Sequence, residues 1–312
     1  MSQYVFGVDI GGTTVKLGYF DTEGNVLDKW EIPTRKEDNG SRILPDVAAS
    51  IEKKIKDAGI DRKDVAGVGV GAPGPIDSDG VVHKAANLGW GVFSIKETLE
   101  NILKLPVMAG NDANVAALGE MWKGGGAGCK NLVMVTLGTG VGGGVIVGGK
   151  IVVGQFGAGG EIGHMCVNYH ETKQCGCGSY GCLEQYASAT GIVRLATEKL
   201  ESETRSTLLK KEELSAKAVF DAVKEGDEVA TEIATEMGEY LGHALANIAA
   251  VLDPAIFVIG GGVSKAGDVL LPFIEKPFKD RAFFASQNVK FALATLGNDA
   301  GICGAAKMVL GD

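Results

Sequence analysis

The sequence predicts an α/β protein of two domains, in which mixed or parallel sheets carry helices on their faces. Short apolar runs that end in glycine turns alternate with segments whose apolar residues recur at helical spacing, which is typical of α/β folds. At 312 residues the chain exceeds the size at which a single hydrophobic core stops growing, so two domains are favoured. Glycine is abundant, with 47 residues, about twice the usual frequency of roughly 7%.

The first part of the chain begins with three short β-rich runs separated by turn sequences, which predicts a meander of hairpins. These runs are YVFGVDI, VKLGYF and NVLDKWEI. Apolar residues then recur at helical spacing from Ile43 to Ile55, and Gly59 supplies a stop. Two further strands are predicted in VAGVGVGAPG and LPVMAGND, and a helix begins at Asp112.

A glycine-rich loop at residues 124–131 is the predicted domain junction, after which the pattern begins again. NLVMVTLGTGVGGGVIV has the same plan as YVFGVDIGGTTVKLGYF, namely an apolar strand, a glycine-rich reversal and a second strand. Apolar spacing from Val229 to Leu252 predicts one long amphipathic helix that ends at Pro254. The strands AIFVIGGGVS and NVKFALATLG and the helix DAGICGAAKMVL complete the chain.

Charge and composition exclude several classes of partner. The formal net charge of −9 argues against nucleic acid and acidic membranes as main partners. The N-terminal sequence has no basic segment and no apolar signal core, so we expect a cytoplasmic protein. The uncharged run at residues 131–149 contains seven glycines in 19 residues, which indicates strand, turn and strand instead of a membrane-spanning helix.

The stretch VDIGGTTVK at residues 8–16 has the features of a phosphate loop. Paired glycines at a strand reversal let backbone N–H groups approach an anion closely. The two threonines add hydroxyl donors, Lys16 adds a positive charge, and Asp9 offers a carboxylate able to hold Mg²⁺ through water. The alternative interpretation is a hairpin turn with polar decoration.

A second glycine turn, LGTGVGGG at residues 137–144, offers the same chemistry with fewer side chains. Its match to the dinucleotide fingerprint G-x-G-x-x-G is weak, because that fingerprint requires a following helix and the next residues resemble a strand. The nearby GVIVGGKI approaches a P-loop, but Ile151 stands where Ser or Thr would bind Mg²⁺. We therefore interpret Lys150 as a hairpin-turn lysine.

A third glycine turn, IGGGVS at residues 259–264, would let a base or ribose lie close to the backbone. Three glycine turns after three strands, in a chain that lacks a Walker A sequence, predict a two-domain nucleotide clamp.

The stretch AGNDANVAALGE places Asn111 and Asp112 at the end of a strand. An aspartate at the start of a helix is usually an N-cap. The alternative role for Asp112 is that of a general base, which accepts a proton from an alcohol as that alcohol attacks a γ-phosphate. Asn111 would then orient the same alcohol.

Three cysteines lie close together in CGCGSYGCLE, and His164 stands eleven residues before the first of them, Cys175. The absence of an export signal disfavours stable disulfides, and the spacing does not give the C-x-x-C of a redox motif. With Cys177 and Cys182, these residues make a closed tetrahedral set for structural zinc, held on glycines that allow tight wrapping. The alternative is a group of buried thiols with no metal.

The other cysteines and histidines form no cluster in the sequence. We expect the remaining cysteines in the core and the remaining histidines in surface or core positions. They are Cys129, Cys166 and Cys303, and His83, His170 and His243.

A closed four-ligand site has no open position for catalysis, so zinc here would contribute folding free energy, on the order of 10 kcal/mol, and orientation. It would fix one ring nitrogen of His164 and leave the other free for a hydrogen bond. Glu161 stands three residues before His164, and Glu184 stands two residues after Cys182. Two carboxylates and an imidazole N–H form a polar patch suited to vicinal hydroxyls.

With these motifs in view, the chain resembles the ROK family (repressors, open reading frames and kinases), and most closely its bacterial glucokinases. EIGH at residues 161–164 and CGCGSYGCLE at residues 175–184 match the two family signatures. Five further stretches match along the chain: DIGGTTVK, GAPGPID, GNDAN, LGTGVGGG and GGGVS.

The resemblance implies a two-domain actin-like ATPase (ribonuclease H-like) fold with an interdomain cleft. The expected smaller domain comprises residues 1–118 and 298–312, and it carries the first phosphate loop and the catalytic aspartate. The expected larger domain, residues 119–297, carries the zinc loop, the second phosphate loop and the adenosine turn. The last helix, at about residues 299–309, is expected to return to the first domain.

Carried over position by position, the resemblance implies a role for each matching residue. Asp112 matches the catalytic base. The sugar contacts are Gly71, Asn111, Asp112, Glu161, His164 and Glu184. The zinc ligands are His164, Cys175, Cys177 and Cys182. The phosphate motifs comprise Asp9, Gly11, Gly12, Thr13 and Lys16, then Gly138, Thr139 and Gly140, and the adenosine motif Gly261 and Gly262.

The implied activity is phosphorylation of the 6-hydroxyl of glucose by ATP, with Mg²⁺, structural Zn²⁺ and a homo-oligomer, either a dimer or a tetramer. The alternatives are a kinase for fructose, mannose, allose or N-acetylmannosamine, and a sugar-binding regulator without catalysis. Polyphosphate stays open as a donor. Family repressors carry a helix-turn-helix before the kinase-like part, and only three residues precede the first predicted strand here, which disfavours a repressor.

Overall fold

The computed structural model describes residues 3–311, so residues 1, 2 and 312 of the predicted first domain lie outside it. Within this range the chain forms twelve strands and ten α-helices. The strands are β1 (Tyr4–Ile10), β2 (Thr14–Asp21), β3 (Val26–Pro33), β4 (Val65–Ala72), β5 (Val81–Val82), β6 (Phe93–Ser94), β7 (Val107–Asn111), β8 (Leu132–Leu137), β9 (Val141–Val147), β10 (Lys150–Ile151), β11 (Ile256–Gly260) and β12 (Lys290–Leu293). The helices are α1 (Glu37–Gly40), α2 (Ile43–Asp57), α3 (Ile95–Leu103), α4 (Asp112–Lys123), α5 (Glu184–Ala187), α6 (Ala189–Ser202), α7 (Ala216–Lys224), α8 (Glu228–Leu252), α9 (Leu271–Arg281) and α10 (Ala300–Leu310).

The chain divides into two compact units. In the described chain, unit 1 comprises residues 3–130, 144–160 and 295–311, and unit 2 comprises residues 131–143 and 161–294. The first boundary therefore lies in the glycine-rich loop, whereas the predicted domain bounds divide the chain at residue 118. The reason is that α4 continues to Lys123 and packs along α10, both within unit 1.

The first sheet lies in unit 1 and has the strand order β3-β2-β1-β4-β7. Strands β1, β2 and β3 pair antiparallel, which confirms the predicted meander, and β4 and β7 run parallel to β1. Asp9 pairs with Gly71, and Gly71 pairs with Gly110. Because parallel strands end at the same edge, this register places the residues after β1, β4 and β7 together.

Helix α10 lies against the first sheet and α4, and glycines make this close approach possible. A Cβ atom added to Gly304 would meet the carbonyl oxygen of Val115, and one added to Gly119 would lie 2.9 Å from the nitrogen of Gly304. The final helix predicted from DAGICGAAKMVL is therefore a core element, with Ile302 and Cys303 buried. Helices α2 and α3 contribute to a second apolar cluster of unit 1, built on Phe6.

The second sheet has the order β10-β9-β8-β11-β12, with β8, β11 and β12 parallel. Gly148 and Gly149, with φ of 60° and 82°, form the turn that joins β9 to β10. Positive φ at both positions is the requirement of a tight hairpin turn. The interpretation of Lys150 as a hairpin-turn lysine is confirmed, and a strand follows residues 137–140 where the dinucleotide fingerprint needs a helix.

Helix α8 confirms the long amphipathic helix predicted in unit 2. Asp227 caps it by accepting the N–H of Ala230 at 2.8 Å, and Asp253, with a φ of 43°, ends it before Pro254. Its buried face includes Ile233, Leu241 and further apolar residues at the predicted spacing. Within residues 3–311, no helix combines the length and apolarity needed to cross a membrane.

Glu120 is a fully buried carboxylate near the end of α4, at 0% exposure. Its Oε2 accepts the N–H groups of Gly125 at 2.8 Å and Thr295 at 3.1 Å, and its Oε1 accepts the N–H of Leu296 at 2.9 Å. The chain first leaves unit 1 after Lys130, and its last return to unit 1 is at Thr295. The Glu120 side chain therefore binds both the loop that precedes the first passage into unit 2 and the segment that follows the last return to unit 1.

We predict that Glu120→Gln lowers the free energy of unfolding by about 1–3 kcal/mol, because a donor replaces one of two acceptors and leaves a buried N–H unpaired. Urea denaturation followed by circular dichroism measures the change. Glu31→Gln, at an exposed position on β3, is the matched control and should unfold like the unmodified protein. Equal stability of the two variants would show that the three contacts of Glu120 do not stabilise unit 1.

Candidate functional site

The start of α4 presents two polar side chains with different tasks. Asn111 is the N-cap, and its Oδ1 accepts the N–H groups of Ala113 at 3.0 Å and Asn114 at 3.2 Å. Its Nδ2 donates to the carbonyl oxygen of Gly74 at 3.1 Å. The capping role considered for Asp112 is therefore filled by its neighbour, and Asp112 is the first residue of the helix itself.

Asp112 is half-buried at the carboxyl edge of the first sheet. Its Oδ1 accepts the N–H of Ala113 at 2.8 Å. Burial raises the pKa of this carboxyl above its ordinary value, although hydrogen bonds from the backbone and from Asn111 oppose the rise. A Cβ atom added to Gly71 would lie 3.7 Å from the Cα of Asp112, so β4 passes directly beside this residue.

Asp9 places a second carboxylate near Asp112. Burial, followed by the negative charge of Asp112, raises the pKa of Asp9 to about 6, while the positive charge of Lys16 lowers it. Lys16 is directly opposite Asp9 in the β1–β2 pair. Two carboxylates in a partly desolvated place repel each other, and a bound cation would relieve that repulsion.

The first glycine turn is braced by a residue that the sequence does not single out. Gly11 donates its N–H to the carbonyl oxygen of Thr14 at 3.0 Å, which closes the turn. Thr34, just after β3, donates its N–H to the carbonyl oxygen of Thr13 at 2.9 Å and its hydroxyl to that of Gly11 at 2.7 Å. Gly12 faces open space, with no atom within 4 Å of an added Cβ. The turn is thus held in shape without side chains over its tip.

Asn114 is another residue that the sequence analysis did not assign. It is 4% exposed, and its Nδ2 donates to the carbonyl oxygen of Gly159 at 3.2 Å. Its Oδ1 has no hydrogen-bond partner among the described residues. Because Gly159 is two residues before Glu161, this contact ties the first turn of α4 to the glycine loop that leads to the EIGH sequence. The position of Asn114 in the GNDAN motif is the sequence feature that could have identified it.

Unit 2 brings together the four predicted metal ligands. One ligand atom from each of His164, Cys175, Cys177 and Cys182 lies within 4.8 Å of all the others. The sulfurs of Cys177 and Cys182 are 3.6 Å apart, which is too far for a disulfide. Two Zn–S bonds of about 2.3 Å at a tetrahedral angle would separate the sulfurs by about 3.8 Å. The donor set therefore fits a zinc ion.

Burial shifts the protonation of two of these thiols. Burial raises the pKa of Cys182 to about 12 and also raises that of Cys175. At neutral pH these sulfurs are therefore protonated unless a cation compensates the negative charge of the thiolates. A divalent metal supplies that compensation, because it binds the deprotonated form.

The two predicted sugar-contact glutamates lie in different surroundings. Glu161 is exposed, and its Oε2 lies 4.0 Å from the Nε2 of His164. Glu184 is at the start of α5, where its Oε2 accepts the N–H of Val141 at 3.0 Å and its Oε1 accepts a hydrogen bond from the Cys175 sulfur at 3.7 Å. Glu184 therefore links the cysteine cluster to the second glycine turn.

The second and third glycine turns are both anchored within unit 2. Gly138 donates its N–H to the carbonyl oxygen of Gly140 at 2.9 Å, and the hydroxyl of Thr190 donates to the carbonyl oxygen of Thr139 at 2.8 Å. In the third turn, the hydroxyl of Ser264 donates to the carbonyl oxygen of Gly261 at 2.8 Å. The adjacent Gly262 is open, with no atom within 4 Å of an added Cβ.

A partly buried polar network supports the loop between His164 and Cys175, and no local sequence pattern indicates it. Tyr186 donates its hydroxyl to Glu171 at 2.6 Å and accepts the Nδ2 of Asn168 at 2.9 Å. Arg194 donates to the same Glu171 oxygen at 2.7 Å and lies over the Tyr186 ring, 4.5 Å from its centroid. The network joins the loop to α5, which carries Glu184, and to α6.

The cysteines outside the cluster only partly match the expectation of core positions. Cys303 is buried, as predicted, and Cys129 is half-buried. The prediction for Cys166 is wrong, because this residue is exposed. It follows the short turn that carries His164 and forms a β-bridge with Cys182, so its backbone, instead of its side chain, is bound into the fold.

The remaining histidines lie outside the cluster, as expected. His83 Nε2 is 3.0 Å from a carboxylate oxygen of Asp77, and both side chains are partly exposed. His170 is exposed, and His243 is half-buried on α8.

Comparison with known proteins identifies the family. The sequence matches the ROK family over residues 5–312. The chain belongs to the ROK family. A glucokinase from Halalkalibacterium halodurans is 46% identical over 98% of this chain and 95% of that relative. A xylose repressor from Caldicellulosiruptor bescii is 28% identical over 99% of this chain and 78% of that relative.

A solved structure confirms the fold class. The ROK family glucokinase from Streptomyces griseus, in complex with glucose and AMPPNP, aligns with a TM-score of 0.76 at 35% identity and covers 98% of both chains. This chain therefore has the two-domain actin-like ATPase fold of the ROK sugar kinases.

Two groups of predicted site residues thus lie together, one in each unit. Unit 1 assembles the first phosphate turn, Asp9, Gly71 and the start of α4. Unit 2 assembles the cysteine cluster and Glu184 beside the second glycine turn, with Glu161 next to His164.

The Glu171 network predicts a specific acid sensitivity. Hydrogen bonds from Tyr186, Lys173 and Arg194 lower the pKa of Glu171 to about 2. A carboxylate with a depressed folded-state pKa contributes stability that is full above its unfolded value near 4.3 and is lost as the pH falls toward 2. The free energy of unfolding of Glu171→Gln should therefore fall less steeply between pH 6 and pH 3 than that of the unmodified protein.

Urea titrations at several pH values measure this difference. Glu201→Gln, an exposed change on α6, is the control and should keep the original pH dependence. Parallel pH curves for the Glu171→Gln variant and the unmodified protein would contradict the assignment.

Proposed function

We propose that this protein is an ATP-dependent glucokinase that transfers the γ-phosphoryl group of ATP to the 6-hydroxyl of glucose. The observation that carries the proposal is Asp112, a half-buried carboxylate with a raised pKa at the start of α4. Support comes from the glucokinase that is 46% identical over nearly the full length of both chains.

Asp112 acts as the general base in this proposal. A base is most effective when its pKa approaches the working pH, and burial moves the pKa of Asp112 in that direction. The bond from Ala113 to Oδ1 fixes the plane of the carboxylate, and the cap made by Asn111 leaves Asp112 out of the helix-capping role. The proton of the sugar hydroxyl passes to the carboxylate as the phosphoryl group is transferred.

The donor phosphates are proposed to bind at the glycine turns. Gly12 and Gly262 leave open space at the backbone, and Lys16 offers a positive charge. Asp9 would hold Mg²⁺ through water, and the nearby negative charge of Asp112 supports the placement of a cation there. Mg²⁺ offsets the negative charge on the phosphates during transfer.

The cysteine cluster is proposed to bind one structural zinc ion through His164, Cys175, Cys177 and Cys182. Zinc contributes folding free energy and fixes the direction of its ligands. With one ring nitrogen of His164 held by the metal, the other is oriented for a hydrogen bond. Glu161, next to that ring, and Glu184, held by Val141, keep their proposed roles as sugar contacts, together with Gly71 and Asn111.

A kinase for another hexose is the second candidate, because the residues named here grip hydroxyls that several hexoses share. The third is a sugar-binding regulator without catalysis, a class represented by the xylose repressor at 28% identity. The complete first phosphate turn and the placement of Asp112 favour the kinase.

We also propose a homo-oligomer, on the basis of the family resemblance.

The proposed activity predicts the outcome of a sugar panel. With ATP and Mg²⁺, initial rates should be highest with glucose, when compared with fructose, mannose, allose and N-acetylmannosamine. Asp112→Asn should lower kcat by about 10²- to 10⁴-fold, because the general base is lost, while glucose still binds. A coupled assay for ADP measures the rates, and calorimetry measures glucose binding.

Asp57→Asn, an exposed change at the end of α2, is the control for Asp112→Asn and should keep full activity. A sugar that binds without ADP release from the unmodified protein would favour the regulator. An active Asp112→Asn variant would remove Asp112 from the mechanism.

The zinc assignment predicts a metal content of one ion per chain. Denaturation in the presence of a chromogenic chelator should release one zinc per chain, and Cys177→Ser should lower that yield and raise the KM for glucose more than it lowers kcat. The reason is that a weakened metal site orients His164 less firmly. Cys129→Ser, outside the cluster, should match the unmodified protein in both measurements. Metal-free protein with an unchanged KM would overturn this role.

A further inference from the structure

A fourth thiol lies beside the cluster of three cysteines and His164 without belonging to it. Cys166 is exposed and is absent from the four residues whose ligand atoms lie within 4.8 Å of one another. It forms an antiparallel β-bridge with Cys182, which is 0% exposed and is one of the four. An accessible thiol that holds no metal is therefore paired across a bridge with a proposed metal ligand.

The hydrogen bonds around this bridge define its geometry. Val167 donates its N–H to the carbonyl oxygen of Gly181 at 2.7 Å, and Leu183 donates its N–H to that of Met165 at 2.9 Å. These bonds flank the pair of cysteines, which makes it a non-hydrogen-bonded antiparallel pair. In such a pair the side chains share one face and the Cα atoms are about 4.5 Å apart.

This spacing lies inside the range in which a disulfide forms without movement of the backbone, about 4.4–6.8 Å between Cα atoms. The sulfur of Cys166 also lies beside the residue that precedes Cys182, because an added Cβ on Gly181 would be 3.3 Å from it. The other two cysteines outside the cluster have no such arrangement in the described chain, since Cys129 is in the loop after α4 and Cys303 is in the core of unit 1.

We propose that Cys166 and Cys182 form a reversible redox pair, which reacts with a peroxide and dismantles the metal site. The exposed thiol reacts first: its sulfur attacks the O–O bond, and it becomes a sulfenic acid while one water leaves. The sulfur of Cys182 then attacks that sulfenic sulfur, and the disulfide forms as a second water leaves. Two thiols and one peroxide give one disulfide and two waters, and a dithiol reverses the change.

The consequence follows from the place of Cys182 in the chain. A disulfide removes one of the four metal ligands, and it does so two residues before Glu184, which is held by Val141 and by Cys175. The effect on sugar binding rests on the proposed glucokinase function, whereas the disulfide and the loss of metal do not. Oxidation should raise the KM for glucose severalfold with a smaller change in kcat.

The experiment treats zinc-loaded protein with hydrogen peroxide and compares the unmodified chain with Cys166→Ser and Cys129→Ser. Peptide mass spectrometry without reduction locates the disulfide, and a chromogenic chelator records zinc release over time. We expect a link between residues 166 and 182 and parallel zinc release in the unmodified protein and in Cys129→Ser. Cys166→Ser should keep its zinc severalfold longer, and dithiothreitol with added zinc should restore the unmodified protein.

Two results would overturn the proposal. One is a disulfide between Cys177 and Cys182, the pair whose sulfurs are 3.6 Å apart, as the first product of oxidation. The other is equal zinc loss from Cys166→Ser and the unmodified protein. If no sugar is phosphorylated, the disulfide between residues 166 and 182 and the release of zinc still test the redox-pair proposal. If the protein binds no zinc, the disulfide alone tests it.

Discussion

The cap that Asn111 places on α4 is the interaction on which the candidate site residues of unit 1 depend. Because the Asn111 side chain accepts two N–H groups of the first helical turn, Asp112 is not needed as the N-cap. Asp112 can therefore keep a carboxylate half-buried at the sheet edge, close enough to Asp9 for their charges to interact. The parallel register of β1, β4 and β7 brings these residues to one edge, and the glycine contacts of α10 hold α4 against the sheet.

The candidate site residues of unit 2 depend on a different kind of order. The loop that carries His164 and the cysteines has little regular structure, so its shape comes from the cluster and from the partly buried network around Glu171. The four clustered ligand residues and a set of hydrogen bonds do here what strands and helices do in unit 1.

Much of this architecture could be predicted from local patterns. The β1–β3 meander, the start of α4, the extent of α8 and the metal-ligand set all follow from periodicity, turn residues and ligand spacing. Thr34 and Glu171 could not be found in this way, because each acts through a partner that is distant in sequence. Cys166 was misplaced because its neighbours are apolar, whereas the bridge to Cys182 leaves its side chain at the surface. The packing of α4 along α10 is also a contact between residues distant in sequence, and it keeps α4 in unit 1 to its last residue, beyond residue 118.

The position of α10 has a consequence for how the protein folds during its synthesis on the ribosome. Its residues, Ala300–Leu310, pack against α4 and the first sheet, and they are synthesised after every strand of that sheet. Part of the apolar face of the first sheet therefore stays uncovered until α10 has been made. Chaperones bind apolar surface that is exposed in this way during synthesis.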